Sequence, residues 1–220
     1  MTIVTIDGPA GSGKSTVSRL VAQRLGYTYL DTGAMYRAVG LLAQEEGVDL
    51  EDEGQLGDLL ADLELVMGPG DGEYVQVIIN GRDVSRAIRS AEMGMVASRI
   101  SALAQVRAKL TQLQQELGRH GDLVAEGRDM GTVVFPHAPH KFFVAATAQE
   151  RARRRAEQLR AKGEVVDEKE LLAQIEKRDH DDANRALAPL RPAEDAITID
   201  SSRIDAQGVV NLILAYLAKK

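Results

Sequence analysis

Apolar positions follow two rhythms along this chain. Thr2-Ile3-Val4-Thr5-Ile6 is a short β-branched run that stops at Asp7-Gly8-Pro9-Ala10-Gly11, the pattern of a buried strand running into a turn. From Lys14 the apolar residues fall at Val17, Leu20, Val21 and Leu25, a spacing of three and four that predicts a helix. A second strand is predicted over Tyr27 to Leu30 and a second helix over about Ala34 to Glu46. Strand, glycine turn, helix, strand is how a parallel α/β sheet begins. Leu123-Val124-Ala125, Lys141-Phe142-Phe143-Val144-Ala145 and Ala196-Ile197-Thr198-Ile199 read as further buried strands. Between the last two the pattern predicts helices over about Ala148 to Lys162 and Glu168 to Arg178, and a closing helix over about Ala206 to Leu217. Thr147 stands three residues before Glu150, the spacing of a capping box, and Asp167 stands three before Glu170 as a second N-cap.

The stretch from Glu64 to Val84 breaks this alternation. Leu65-Val66-Met67, Gly68-Pro69-Gly70-Asp71-Gly72, Tyr74 to Ile79 and Asn80-Gly81 read as strand, turn, strand, turn. Asn-Gly between extended segments is a strong hairpin signal, so a small antiparallel insertion is expected, followed by helices over about Ala91 to Leu117. Lys162-Gly163-Glu164 and Ala188-Pro189-Leu190-Arg191-Pro192 read as flexible joints or lid tips.

Composition narrows the classes. With 27 Lys plus Arg against 33 Asp plus Glu, the formal net charge is -6, the wrong sign for a general nucleic-acid binder. There is no cysteine, which removes disulfides, thiol catalysis and Cys-ligated zinc. Apolar runs such as Phe142 to Ala146 fall far short of the ~18 residues of a membrane span. The first residues show no basic region followed by an apolar run, so a secretory leader is not expected. These readings point to a soluble, cytoplasmic protein. His120, His137, His140 and His180 show no metal-ligand spacing and are read as structural or exposed.

Gly8-Pro9-Ala10-Gly11-Ser12-Gly13-Lys14-Ser15 matches G-x-x-x-x-G-K-[ST] in full, after a strand and opening a helix. Its glycines let the backbone wrap with N–H groups pointing inward at a helix N-terminus, an anion nest. Lys14 is placed to neutralise β- and γ-phosphates and the Ser15 hydroxyl to meet Mg²⁺. The loop alone leaves open a switch GTPase, a motor or transport ATPase, and a small-molecule kinase. A guanine-reading Asn-Lys-x-Asp is absent, since Lys177-Arg178-Asp179 is preceded by Glu176. No long apolar strand ends in Asp-Glu, as a hydrolytic ATPase would show.

Arginines mark the strand ends and helices instead. Tyr29-Leu30-Asp31-Thr32-Gly33-Ala34-Met35-Tyr36-Arg37 follows the second strand, and ligands of parallel sheets gather at C-terminal strand ends. Arg37, one turn into the helix, can reach back to an anion; an N-cap with a solvated arginine is the alternative. Glu126-Gly127-Arg128-Asp129-Met130-Gly131-Thr132 ends a central strand with one cation and one acceptor. Arg151, Arg154 and Arg155 share a helix face near its N-terminus, opposed by the dipole unless an anion arrives. Arg178 and Arg185 are seven apart, with Asp182 alongside, on one face if the helix continues.

These residues together resemble the bacterial cytidylate kinase family, of the nucleoside monophosphate kinase fold. The likeness spans nearly the whole chain and is densest at Ile6 to Pro9, Asp31 to Arg37, Gly127 to Thr132, and Arg178-Asp179 through Asn184-Arg185. It implies an α/β, three-layer P-loop fold with a five-stranded parallel sheet, a helical lid and a small antiparallel β insertion on the monophosphate side. It implies a single kinase domain over 1–220, with a core at about 1–33, 118–147 and 190–220, a monophosphate-binding region at about 34–117 and a lid at about 148–189. Many nucleoside monophosphate kinases carry Gly where this chain has Ser15, so Mg²⁺ ligation by Ser15 rests on chemistry more than on the family pattern.

The implied activity is transfer of the γ-phosphoryl group of ATP to CMP or dCMP, giving CDP or dCDP plus ADP, with Mg²⁺ as cofactor, in pyrimidine nucleotide metabolism. By the same resemblance Gly8, Pro9, Ala10, Gly11, Ser12, Gly13, Lys14, Ser15 and Thr16 hold the ATP phosphates. Arg37 and Arg128 grip the acceptor phosphate, with Thr32 and Tyr36 beside them. Ser98, Arg107 and Asp129 read the cytosine edge, Arg178 and Asp182 contact the sugar, and Arg185 sits near the phosphates. Lys14, Arg128, Arg154 and Arg185 form the catalytic set, Arg154 on the lid meeting the transferred phosphate. A monomer without nucleic-acid or membrane partners is implied. Kinases for UMP, AMP or shikimate share the fold and stay open at this point. So does a nucleotide-binding switch, while a DNA-associated P-loop protein is disfavoured by the acidic charge and by aromatic residues limited to 5 Tyr and 3 Phe.

Overall fold

The computed structural model describes residues 1–70 and 74–219. Asp71 and Gly72 of the expected Gly68–Gly72 turn lie outside the described residues. The chain divides into two compact units, one formed by Met1–Tyr29 with Gly121–Lys220 and the other by Leu30–His120.

Strands β1 (Ile3–Asp7), β2 (Thr28–Asp31), β6 (Leu123–Gly127), β7 (His140–Ala145) and β8 (Ile197–Asp200) form one sheet in the order β2-β6-β1-β7-β8. β1 runs parallel to both β6 and β7, and β7 parallel to β8. Val4, Thr5 and Ile6 are all without solvent exposure, because central strands of a parallel sheet are covered on both faces. Helix α1 (Lys14–Leu25) and helix α8 (Ala206–Leu217) supply one of those covers. Val17, Val21 and Ala22 of α1 meet Val209, Val210 and Ile213 of α8 in a core shared with Val4, Ile6, Val124, Phe142 and Val144. Helices α6 (Ala148–Ala161) and α7 (Glu168–Asn184) pack against each other after β7. No described helix is long and apolar enough to cross a membrane.

The Leu30–His120 unit holds helices α2 (Thr32–Glu45), α3 (Glu53–Ala61), α4 (Ala91–Ile100) and α5 (Ala104–Leu117), and a sheet of β3 (Leu65–Gly68), β4 (Gln76–Ile79) and β5 (Arg82–Asp83). The sheet is antiparallel, with Leu65 opposite Ile79 and Ile79 opposite Arg82. Asn80 and Gly81, at φ 47° and 77°, make the left-handed pair that a two-residue hairpin needs. Val77 and Ile79 turn inward, where α2 packs against β4 and α4. At Gly40 the helices come close enough that a Cβ would lie 2.5 Å from Val96 Cγ1.

The expected elements are present, with three corrections. α3 was not expected, although Leu56, Leu59 and Leu60 carry helical spacing behind an Asp52 that caps Gly54 and Gln55. The helices expected over about Ala91 to Leu117 are α4 and α5, separated at Ser101–Leu103, where the Ser101 hydroxyl donates to the Ser98 carbonyl at 2.8 Å. The capping box at Thr147 is half formed. Its Oγ1 accepts from Glu150 N at 3.2 Å, but Thr147 N donates to Ser202 while the Glu150 carboxylate turns to Arg153 and Arg154. Finally α7 runs on to Asn184 and stops there, leaving Arg185 in extended backbone as its C-cap.

Gly8 leaves β1 at φ 155°, and a Cβ there would stand 2.2 Å from the Val144 carbonyl oxygen. Backbone cannot retreat as a side chain does, so Gly8→Ala is expected to lose about 3 kcal/mol of stability or more. Denaturant unfolding of the two proteins measures it, and a difference below about 1 kcal/mol would show that the loop tolerates the added methyl.

Candidate active site

The turn after β1 is built to meet an anion. Gly11 and Gly13 adopt φ 76° and 86°, conformations that cost little only for glycine. Gly13 is the N-cap of α1 and offers no side chain to its first turn, so N–H groups there stay available to a bound anion. A Cβ on Gly11 would touch Arg151, and one on Gly13 would lie 3.7 Å from Arg154 Nη1. Two arginines of α6 therefore stand over the loop.

Lys14 is the central cation. It is 5% exposed, donates to the Pro9 carbonyl at 3.0 Å and lies 3.8 Å from Glu126 Oε1. Burial, with Arg128 and Arg178 nearby, pulls its amine down to about 7, against the opposing pull of Glu126 and Asp182. Both causes disfavour the charged amine, and nearby negative charge opposes them, as Glu126 and Asp182 do. Glu126 also accepts from the Ser15 hydroxyl at 2.5 Å and from the Tyr29 hydroxyl.

The remaining cations of this unit are steered by carboxylates. Arg128 Nε donates to Asp182 Oδ2 at 3.1 Å, and Arg185 Nη2 lies 3.8 Å from Asp129 Oδ1 while its Nε donates to the Ala188 carbonyl at 2.6 Å. Asp129 and Asp182 are themselves buried. The backbone just after Asp129 is fixed by Asp7, whose two oxygens accept from Met130 N at 2.9 Å and Gly131 N at 2.8 Å. Arg178, on the same helix as Asp182, acts on Lys14. Arg151 is a brace. It donates to the Ala146 and Ala10 carbonyls and pairs with Asp179. Arg154 pairs with Glu150 and donates to the Ser201 carbonyl, and Ser201 in turn donates to the Ser12 carbonyl at 3.0 Å.

In the Leu30–His120 unit Asp31 caps α2, its Oδ1 accepting from Ala34 N at 2.9 Å. Arg37 reaches back to the same carboxylate, Nη2 to Oδ2 at 3.1 Å, and Arg89 donates to Oδ2 at 2.9 Å. Burial pushes the Asp31 carboxyl up, and the two guanidiniums overrule it, holding it below the usual range. Gly33 keeps this space clear, since a Cβ there would be 3.1 Å from Arg37 Nη1. Thr32 is buried and begins α2. Arg107 is buried with its guanidinium 5.8 Å from the Tyr36 ring centre, and Ser98 sits half-buried on α4.

The expected residues thus fall into two groups. Lys14, Ser15, Arg128, Asp129, Arg154, Arg178, Asp182 and Arg185 belong to the first unit, and Thr32, Tyr36, Arg37, Ser98 and Arg107 to the second. Arg185 does not continue the helix face of Arg178, because its backbone leaves α7 before it. Sequence reading missed Glu126, Tyr29, Asp7, Ser201 and Arg89. Glu126 carries a signal, a carboxylate at the end of the short strand Leu123-Val124-Ala125, though that strand is shorter than the long apolar strand ending in Asp-Glu of a hydrolytic ATPase.

A family model described as Cytidylate kinase matches residues 4–219. The cytidylate kinase of Vibrio cholerae serotype O1 is 49% identical over 99% of this chain and 96% of its own length. A bifunctional pantoate ligase/cytidylate kinase of Synechococcus is 51% identical over 97% of this chain, which spans 42% of that longer protein. Among solved structures, a shikimate kinase from Bacteroides thetaiotaomicron matches with TM-score 0.52 at 13% identity over 100% of this chain and 99% of its own, a likeness of fold alone.

Asp7 ties this site to the pH dependence of stability. Burial, partly offset by the Gly131 and Met130 N–H groups, raises its carboxyl from 3.8 to about 7. Below 3.8 the group is protonated folded and unfolded alike. Between the two values only the folded state keeps the proton, so its contribution is lost as pH rises through 7. At 1.36 kcal/mol per unit the swing is roughly 4 kcal/mol. Denaturant unfolding at pH 5 and pH 8 should show this slope in the wild type and not in Asp7→Asn; equal slopes would remove the burial-raised carboxyl.

Proposed function

The chain belongs to the cytidylate kinase family, and from that premise we propose how its residues divide the work of moving the γ-phosphoryl group of ATP onto CMP or dCMP. The products are CDP or dCDP and ADP. Two polyanions must be brought in line, so catalysis is mostly positioning and neutralisation. No general base is required, because the acceptor phosphate is already a nucleophile.

The observation that carries this reading is the buried Lys14 at the uncapped start of α1, its amine lowered to about 7 by burial and by the charges of Arg128 and Arg178. A triphosphate laid in the turn from Gly8 to Thr16 meets the free N–H groups and restores the lysine's proton. Arg154, beside Gly13, is then the lid cation that follows the transferred phosphoryl group. Arg128 and Arg185 sit ready for the acceptor, held by Asp182 and Asp129 until it arrives. Arg37 takes the acceptor phosphate from its own unit, with Thr32 and Tyr36 next to it in α2.

Asp129 is the base reader in this scheme, with Ser98 and Arg107. Cytosine presents an amino donor where uracil presents an oxygen, so a buried carboxylate is matched by CMP and opposed by UMP. Unmatched buried acceptors give discrimination on the order of 10⁴-fold at best. Arg178 and Asp182 face the sugar. Lid closure over both nucleotides excludes the water that would otherwise take the phosphoryl group.

The residues fit Mg²⁺ as cofactor. Ser15 Oγ and Glu126 Oε1 are hard oxygens joined by a hydrogen bond beside the phosphate turn. Mg²⁺ suits such a sparse set, completed by water and phosphate oxygens, and shields the phosphate charge when bound. On the same footing we read the protein as a cytoplasmic monomer acting on free nucleotides, without nucleic-acid or membrane partners.

Lys14→Ala is expected to lower kcat at least about 10²-fold with the fold intact by circular dichroism; retained turnover removes Lys14 from the phosphate site. Asp129→Ala is expected to cut the CMP over UMP ratio of kcat/KM by roughly 10²-fold or more. An unchanged ratio in a coupled ADP-release assay takes base reading away from Asp129.

A further inference from the structure

Asp31 holds two arginines, and Arg89 is the one that the scheme above leaves without a task. It closes the 3₁₀ turn Ala87–Arg89, whose Ile88 is fully buried. Three contacts fix its guanidinium. Nε donates to the Ser85 carbonyl at 3.1 Å, Nη1 donates to Asp31 Oδ2 at 2.9 Å, and the plane lies 4.8 Å from the centre of the Tyr74 ring. Arg37 Nη2 bonds the same oxygen from the α2 side at 3.1 Å. One carboxylate therefore sets two guanidiniums side by side.

Charge and donors do not balance in this cluster. One anion faces two cations, with side chains only 11% exposed for Asp31, 21% for Arg37 and 18% for Arg89. Two N–H donors, Arg37 Nε and Arg89 Nη2, are buried with no protein acceptor among the described residues. Each buried donor left over costs about 1–3 kcal/mol, which an anion bound there recovers. Paired guanidiniums with spare donors are the arrangement that binds a phosphate dianion, each fork supplying parallel N–H groups. Gly33 adds a second sign, since any side chain there would crowd the Arg37 fork.

We infer that Arg89 is a second ligand of the acceptor phosphate, set beside Arg37 by the shared Asp31 carboxylate. The inference rests on the reading of Arg37 as a phosphate ligand, and deepens it. Asp31 is the positioning residue of the pair. It fixes both guanidiniums before substrate arrives by accepting from each on the same Oδ2, and leaves Arg37 Nε and Arg89 Nη2 for the incoming anion.

Calorimetric titration of the intact protein with CMP and with cytidine separates the phosphate from the base. Wild type should prefer CMP, and Arg89→Gln should lose at least about 10-fold of that preference with cytidine affinity moved less than about twofold. If Arg89→Gln weakens CMP and cytidine alike, or neither, Arg89 is a brace and the inference is overturned. Arg37→Gln is the control. If it too leaves the preference intact, the Arg37 reading falls as well; if it alone removes the preference, that reading stands and only the role of Arg89 is lost. Should Arg89→Gln not fold, Arg89→Lys takes its place. It keeps the charge on Asp31 but has no fork to share, so the preference must still fall at least about threefold, and an unchanged preference overturns the inference equally.

Discussion

The whole arrangement depends on a lysine taken out of water among two arginines and two carboxylates. Lys14 has little contact with water, and its nearest favourable partners are a carbonyl at Pro9 and the Glu126 carboxylate. Arg128 and Arg178 act against its charge. Such a group lowers stability in the free protein, and a bound polyanion reverses that by supplying the missing negative charge. In the proposed reading the start of α1 works the same way, because Gly13 makes no side-chain cap and its N–H groups face the phosphates. On that reading, binding energy comes from electrostatic demand that the turn between β1 and α1 leaves for the ligand to meet.

Carboxylates then keep the arginines in place. Asp182 holds Arg128, Asp129 stands beside Arg185, Asp31 holds Arg37 and Arg89, and Asp179 holds Arg151. A guanidinium tethered in this way loses little further freedom when it meets a ligand, which is what preorganisation requires. The tethers also differ in strength of use. Arg151 is bonded on all sides and acts as a strut between α6, α7 and the Ala10 carbonyl, whereas Arg37 and Arg89 keep donors in reserve.

Fold likeness by itself would not have named the acceptor. The matching shikimate kinase structure shares the architecture at 13% identity, and one architecture serves many substrates. Placed on that architecture here are Asp129 after β6, with the backbone that follows it bound by Asp7, the arginine-rich α6, and the antiparallel insertion between α3 and α4. The family match over residues 4–219 takes in all of them.

The sequence by itself determined the local structure and the phosphate turn. Gly8 to Ser15 is contiguous, its glycines are required by local backbone geometry, and its helix is announced by Val17, Val21 and Leu25 within two turns. The central strands were legible for the same reason, as short apolar runs bounded by turn residues, and so was the Asn80-Gly81 hairpin. Pairings between distant residues were decided only by tertiary structure. Glu126 meets Ser15 and Tyr29 because β6 lies next to both β1 and β2 in the sheet, an order that no spacing encodes. Arg89 meets Asp31 across 58 residues of chain, Asp7 meets Gly131 across 124, and neither segment alone carries a mark of the other. The capping box at Thr147 fits its motif and still formed by half, because Arg153 and Arg154 bind the Glu150 carboxylate more strongly than a backbone N–H does. Local rules hold where the partner is a few residues away; beyond that distance, burial and charge in the folded molecule choose the partner.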